Sequence, residues 1–135
     1  MKLTWSCVLD DGTRPFGPGI QEDQRRPLRL VASEDTAIEV AVINPVGGTI
    51  AFGAGEFLQL NGRSLLLPSR EVFTVRSTPI GNHRLQLTLA GDVTKLLKVG
   101  RGTFDLWAIR SSGRSCLIPS SELLIAGSAI ARNYL

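Results

Sequence analysis

Apolar and polar residues alternate with a period of two in short stretches along this chain, as strands with one buried face require. The clearest stretch covers residues 36–43, where Ile38, Val40 and Val42 share one face and Ala37, Glu39 and Ala41 the other. Residues 83–89 repeat the pattern, with Leu85, Leu87 and Leu89 inward and Arg84, Gln86 and Thr88 outward. In residues 103–110, Phe104, Leu106 and Ala108 fall on one face. Residues 2–9, 27–32, 71–76, 114–118 and 122–126 are further strands, the last two separated by a bend at Pro119.

Turn chemistry punctuates these runs. Asn61-Gly62, between residues 56–60 and 63–67, is the strongest hairpin signal, because Asn-Gly supplies the positive φ angles of a two-residue type I′ turn. Ser111-Ser112-Gly113 predicts a second hairpin. Asp92 is placed to cap a one-turn helix over residues 93–97, its carboxylate accepting from the free amides there. Strands recurring every ~8–12 residues predict an all-β fold, a single antiparallel immunoglobulin-like β-sandwich.

Residues 14–27 break the rhythm. They hold Pro15, Pro18 and Pro27 with Gly17 and Gly19 and have no period, so they read as an extended arm or long loop. The division is a strand and arm over residues 1–32, then the sandwich over 33–135. Phe16 and Ile20 are the large apolar residues of the arm; they pin it either to the chain's own core or to a neighbouring subunit.

A chain of 135 residues suits one domain with a real core. Net charge is +3, carried by scattered arginines, and aromatic residues are only 6% of the chain. Nucleic-acid binders cluster basic residues and interleave aromatics, so nucleic acid is not the expected partner. No apolar run is long enough to span a bilayer, and the stretch before Cys7 is too short for a secretory signal. Cys7 and Cys116 either pair or remain free apolar thiols; their spacing is not that of a metal site, and neither metal nor cofactor is expected.

Catalytic chemistry is sparse. His83 is the one histidine, and its strand position suggests a half-buried structural residue. No nucleophile elbow, phosphate loop or dinucleotide fingerprint occurs, so no enzyme is expected. The surface offers more. With Phe104, Leu106 and Ala108 inward, Trp107 and Ile109 point outward, and the next strands add Leu117 and Leu124 to that side. An apolar outer face containing Trp is a candidate contact surface. The candidate interface is therefore Phe16, Ile20, Trp107, Ile109, Leu117 and Leu124, with Arg25 and Arg26 adding charge-assisted bonds to acidic neighbours.

The order of motifs over about two-thirds of the chain resembles a known family. Glu34-Asp35-Thr36 opens the strand AIEVAVINPVGG; a Leu-rich strand leads to a short polar segment in LQLTLAGDVTKLL; Gly102-Thr103-Phe104-Asp105-Leu106-Trp107 follows, then the hairpin SSGRSCLIPSSELLI. This is similar to the immunoglobulin-like domain of phage baseplate upper proteins and related virion accessory proteins. The resemblance implies a non-enzymatic structural protein of a tailed phage, located in the virion after assembly in the host cytoplasm. The free-standing sandwich with its arm points first to a capsid cement or decoration protein bound to the major capsid protein, in a homo-oligomer with the trimer foremost. A tail or baseplate adaptor is the alternative position, and a receptor- or carbohydrate-binding module a further one.

Overall fold

The structure, a computed structural model, describes residues 1–10, 24–64, 71–81, 83–91 and 100–127. Among these, nine strands form: β1 (Lys2–Val8), β2 (Leu28–Val31), β3 (Thr36–Ile43), β4 (Phe57–Ser64), β5 (Glu71–Arg76), β6 (Thr78–Pro79), β7 (Arg84–Leu89), β8 (Gly100–Arg110) and β9 (Gly113–Ala126). They make two sheets, ordered β1-β3-β7-β6 and β2-β9-β8-β4-β5, packed as a sandwich. The all-β class is therefore as the alternation predicts.

The inner faces follow the period of two. Ile38, Val40 and Val42 of β3 and Leu85, Leu87 and Leu89 of β7 are buried from the first sheet. Leu58 and Leu60 of β4, Phe104, Leu106 and Ala108 of β8, and Leu123 and Ile125 of β9 face them from the second. Each large side chain so buried contributes about 1.5–3 kcal/mol. Trp5 and Phe104 join the two sheets with stacked rings, centroids 5.8 Å apart and planes 20° from parallel.

Most ladders are antiparallel, but two are parallel: β1 with β3 and β2 with β9. Consecutive strands β1, β2 and β3 alternate between sheets, so each parallel pair closes through a crossover. The N-terminal strand thereby belongs to the sandwich itself, with Trp5 and Cys7 in its core.

Several local expectations change. Asn61-Gly62 is not a turn, because β4 runs straight through it, pairing with β5 on one side and β8 on the other. Gly62 is present for space: a Cβ there would overlap the ring of Phe73, which β5 places against it. Asn61 is buried and bonds to its neighbours, donating to Asp105 Oδ1 at 2.9 Å and accepting from Thr74 Oγ1 and Gln59 Nε2, each at 3.2 Å. His83 is exposed rather than half-buried, since its φ of 60° places it in a left-handed turn before β7 begins. Both cysteines are free, Cys7 on the inner face of the first sheet and Cys116 on the second sheet. Burial pushes the Cys7 thiol up to about 11, with Arg26 opposing weakly. The short helix expected over 93–97, with its Asp92 cap, lies outside the described residues, as does most of the arm.

The hairpin at Ser111-Ser112 forms as expected, with Arg110 paired to Gly113 and Gly113 at φ 134°. A carboxylate pins its tip. Glu56 accepts from the Gly53 amide at 2.7 Å and the Ser111 amide at 2.9 Å, and lies 3.5 Å from Arg110 Nε. The Gly53 and Ser111 amides, more than Arg110, hold its carboxyl below the usual range. A lowered folded-state value means that stability is fully present above the unfolded value near 4.5 and is lost as pH falls through the folded one. Glu56→Gln is therefore expected to lower the melting temperature at neutral pH, and the gap from the parent is expected to close on titration to about pH 2. Thermal melts across that range check it; a gap that persists undiminished in acid would assign the loss to geometry rather than charge.

Candidate contact face on the second sheet

The outward residues of β4, β8 and β9 build one side of the sandwich. Register places Gln59 opposite Trp107 and Phe57 opposite Ile109, while Trp107 pairs with Cys116 and Ile109 with Arg114 on the other side. Phe57, Trp107 and Ile109 are each half-buried and form the apolar centre. Arginines lie over two of these rings, Arg76 over Phe57 at 4.7 Å and Arg114 over Trp107 at 5.4 Å. Guanidinium over an aromatic face is attractive by about 0.5–1 kcal/mol where solvent reaches it.

Hydrogen bonds fix the indole. Trp107 Nε1 donates to Asp105 Oδ1 at 3.0 Å, the same oxygen that accepts from Asn61. The carboxylate thus ties the ring to the buried amide on β4, and the indole's polar edge is satisfied before any partner arrives. Asp105 also acts on Cys116, whose thiol is raised first by burial and then by that negative charge.

The sequence-derived face is only partly assembled. Trp107 and Ile109 lie where the alternation puts them. Leu117 does not: it is 1% exposed and belongs to the core. The reason is register: Cys116 pairs with the outward Trp107, so the next residue, Leu117, turns inward, and a bulge there, with Leu106 paired to Ile118, turns Ile118 inward as well. A second irregularity opposes Pro119 and Ser120 to the span between Phe104 and Leu106, which is the bend the sequence marks at Pro119. Leu124 is half-buried on the outer side but pairs with Arg101, six positions along β8 from Trp107, a distance of about 20 Å. It is therefore not part of the aromatic patch.

Of the arm residues, Phe16 and Ile20 lie outside the described residues. Arg25 is exposed, and Arg26 is held within the chain. The Arg26 guanidinium lies 5.6 Å over the Trp5 ring, its Nε donates to Gln24 O at 3.1 Å and its Nη2 to Ser6 O at 3.4 Å. Sequence reasoning missed Phe57, Arg76 and Arg114. Phe57 had a usable signal, its parity opposite to Leu58 and Leu60, which the Asn-Gly turn reading obscured.

A surface cleft of about 280 Å³ lies elsewhere, lined by Ala51, Phe52, Pro79, Gly81, His83, Arg84 and Leu85. Its lining carries no carboxylate, thiol or hydroxyl beside the histidine. Among the described residues, no group of three His, Cys, Asp or Glu side chains is placed to hold a metal. No helix among them is long and apolar enough to cross a membrane.

No protein-family model matches the chain, and no curated protein matches it. Among solved structures, the N-terminal domain of phage TP901-1 ORF48 is similar at 13% sequence identity and a TM-score of 0.45, covering 93% of this chain and 99% of that chain. A likeness of that strength assigns neither a fold family nor a function to the chain.

Proposed function

We propose that this chain is a non-enzymatic structural protein of a tailed phage virion that binds neighbouring virion proteins through the outer face of β4, β8 and β9. The observation that carries the reading is the Phe57, Trp107 and Ile109 centre on a sheet face that a solitary sandwich would make polar. Its geometry suits a rigid dock. The Trp107 indole is already oriented by Asp105, so little side-chain entropy is lost on binding. Arg76 and Arg114 supply a rim for carboxylates of the partner. The sequence resemblance supplies the virion setting.

Within that setting the chain acts as capsid cement, bound to the major capsid protein as a homo-oligomer. The second position is a tail or baseplate adaptor, which the baseplate character of the resembled family favours. Copies per particle separate the two: hundreds for cement, a small multiple of six for tail or baseplate.

Trp107→Asp is the direct test. The substitution places a charge on the outer face and leaves the inner face of β8 intact, so the domain is expected to fold. Incorporation into particles is expected to fall at least tenfold, with the melting temperature little changed. Normal incorporation of a folded variant would remove this face from the interface and the proposal with it.

A further inference from the structure

The edge of the first sheet has a self-complementary open stretch, and we infer that two copies of this chain associate by antiparallel pairing of their β1 strands, centred on Thr4. This inference is independent of the virion reading and of the Trp107 face.

The orientation of β1 follows from its hydrogen bonds. Met1 O accepts from Ala37 N at 2.9 Å and Leu9 N donates to Ile43 O at 2.8 Å, so the odd-numbered residues direct their backbone groups to β3. The even-numbered residues Lys2, Thr4, Ser6 and Val8 direct theirs away from the sheet. β1 ends its sheet, and among the described residues no strand covers that side.

The chain covers one end of this edge itself. Val8 N donates to Gln24 Oε1 at 2.6 Å, and Gln24 Nε2 donates to Val8 O at 2.8 Å. One buried side-chain amide therefore takes both backbone groups of Val8, as a residue of an added antiparallel strand would. Arg26 adds a longer contact to Ser6 O at 3.4 Å, which leaves that carbonyl a second lone pair. Lys2, Thr4 and Ser6 are exposed. Their edge donors and acceptors, Ser6 O apart, have no partner among the described residues.

A second copy fits this stretch in one symmetric register better than in the others. A two-fold at Trp5 or Ser6 brings a partner residue onto Val8, which Gln24 occupies. A two-fold at Leu3 leaves Ser6 unpaired. A two-fold at Thr4 pairs all three open residues, Thr4 with Thr4 and Lys2 with Ser6, and stops short of Val8. The side chains agree with it. Thr–Thr across an antiparallel pair is favourable, and on the inner side half-buried Leu3 of one copy meets Trp5 of the other. Lys2 is the charged residue of the strand and faces Ser6 rather than its own copy. The union makes one eight-stranded sheet, β6-β7-β3-β1 followed by its mirror order, and removes the open edge from both copies.

Sedimentation of the full chain over a concentration series tests it. A monomer–dimer equilibrium is expected, and Thr4→Pro is expected to raise the dissociation constant at least tenfold. Proline at this site removes an edge donor and no bond to β3, so the melting temperature is expected to stay close to the parent's. Should Thr4→Pro fail to fold, Thr4→Cys decides: mild oxidation is expected to give a covalent dimer that the parent, with its own two cysteines, does not form. A chain that stays monomeric at all concentrations overturns the inference. So does a dimer that Thr4→Pro leaves intact, or the absence of a Thr4→Cys cross-link. A dimer abolished by Trp107→Asp and untouched by Thr4→Pro would keep the contact face and reject the β1 edge.

Discussion

Phe104→Ala is expected to destabilise the fold by about 3–5 kcal/mol, the range for emptying an aromatic site in a packed core. Phe104 is 1% exposed and sits where the sheets meet, its ring stacked on Trp5. Truncation removes the buried surface of the ring and leaves Trp5 without its neighbour, and aromatic stacking adds about 0.5–1.5 kcal/mol beyond area alone. Domains of this size are stable by about 5–15 kcal/mol, so the variant loses a large share of the total. Urea unfolding checks it: the midpoint is expected to drop with the slope unchanged. A loss below about 1 kcal/mol would mean that the two sheets do not depend on this stack.

Gly62→Ala is the second large effect, about 2–3 kcal/mol, in the upper part of the range for overpacking a core. The new methyl overlaps the Phe73 ring, and Phe73 is buried with little room to retreat. The two positions are directly paired across β4 and β5, so the substitution is coupled to its partner. Phe73→Leu in the Gly62→Ala background is expected to cost less than the two single changes together, by at least about 0.5 kcal/mol, as residues in contact do. Additive losses would show that Gly62 serves backbone conformation and not the ring. The same experiment separates the two readings of Asn61-Gly62, since a turn glycine would be insensitive to residue 73.

That dipeptide shows where local signals end. The inner faces of β3, β7 and β8 were legible because alternation is a property of one strand and needs no partner. The Ser111-Ser112 turn was legible for the same reason. Asn61-Gly62 carries the chemistry of a type I′ turn, but β5 and β8 flank it on both sides and the gain from two ladders outweighs the turn preference. Leu117 was misplaced because its face depends on the hairpin register, which sets Cys116 opposite Trp107 and so turns Leu117 inward, while the bulge that brings Ile118 in beside it has no local signal. The candidate contact face was half legible: Trp107 and Ile109 came from their own strand, while Phe57, Arg76 and Arg114 joined them through register. Gln24 gave no local sign of closing the end of β1, because its partner Val8 lies across the arm.

The parallel ladder between β2 and β9 also sets the order in which this chain can fold during synthesis. Leu28 pairs with Leu123 and Val31 with Ala126, across most of the chain length. β2 therefore leaves the ribosome long before its partner exists and must wait with Leu28 and Leu30 exposed, two residues that the finished protein buries almost completely. Contacts of such high sequence separation slow folding, because the loop must close before any bond rewards it. The second sheet is thus sealed last, by strands from opposite ends of the chain. Until then the nascent protein leaves an apolar strand uncovered, for which chaperones and other nascent copies compete.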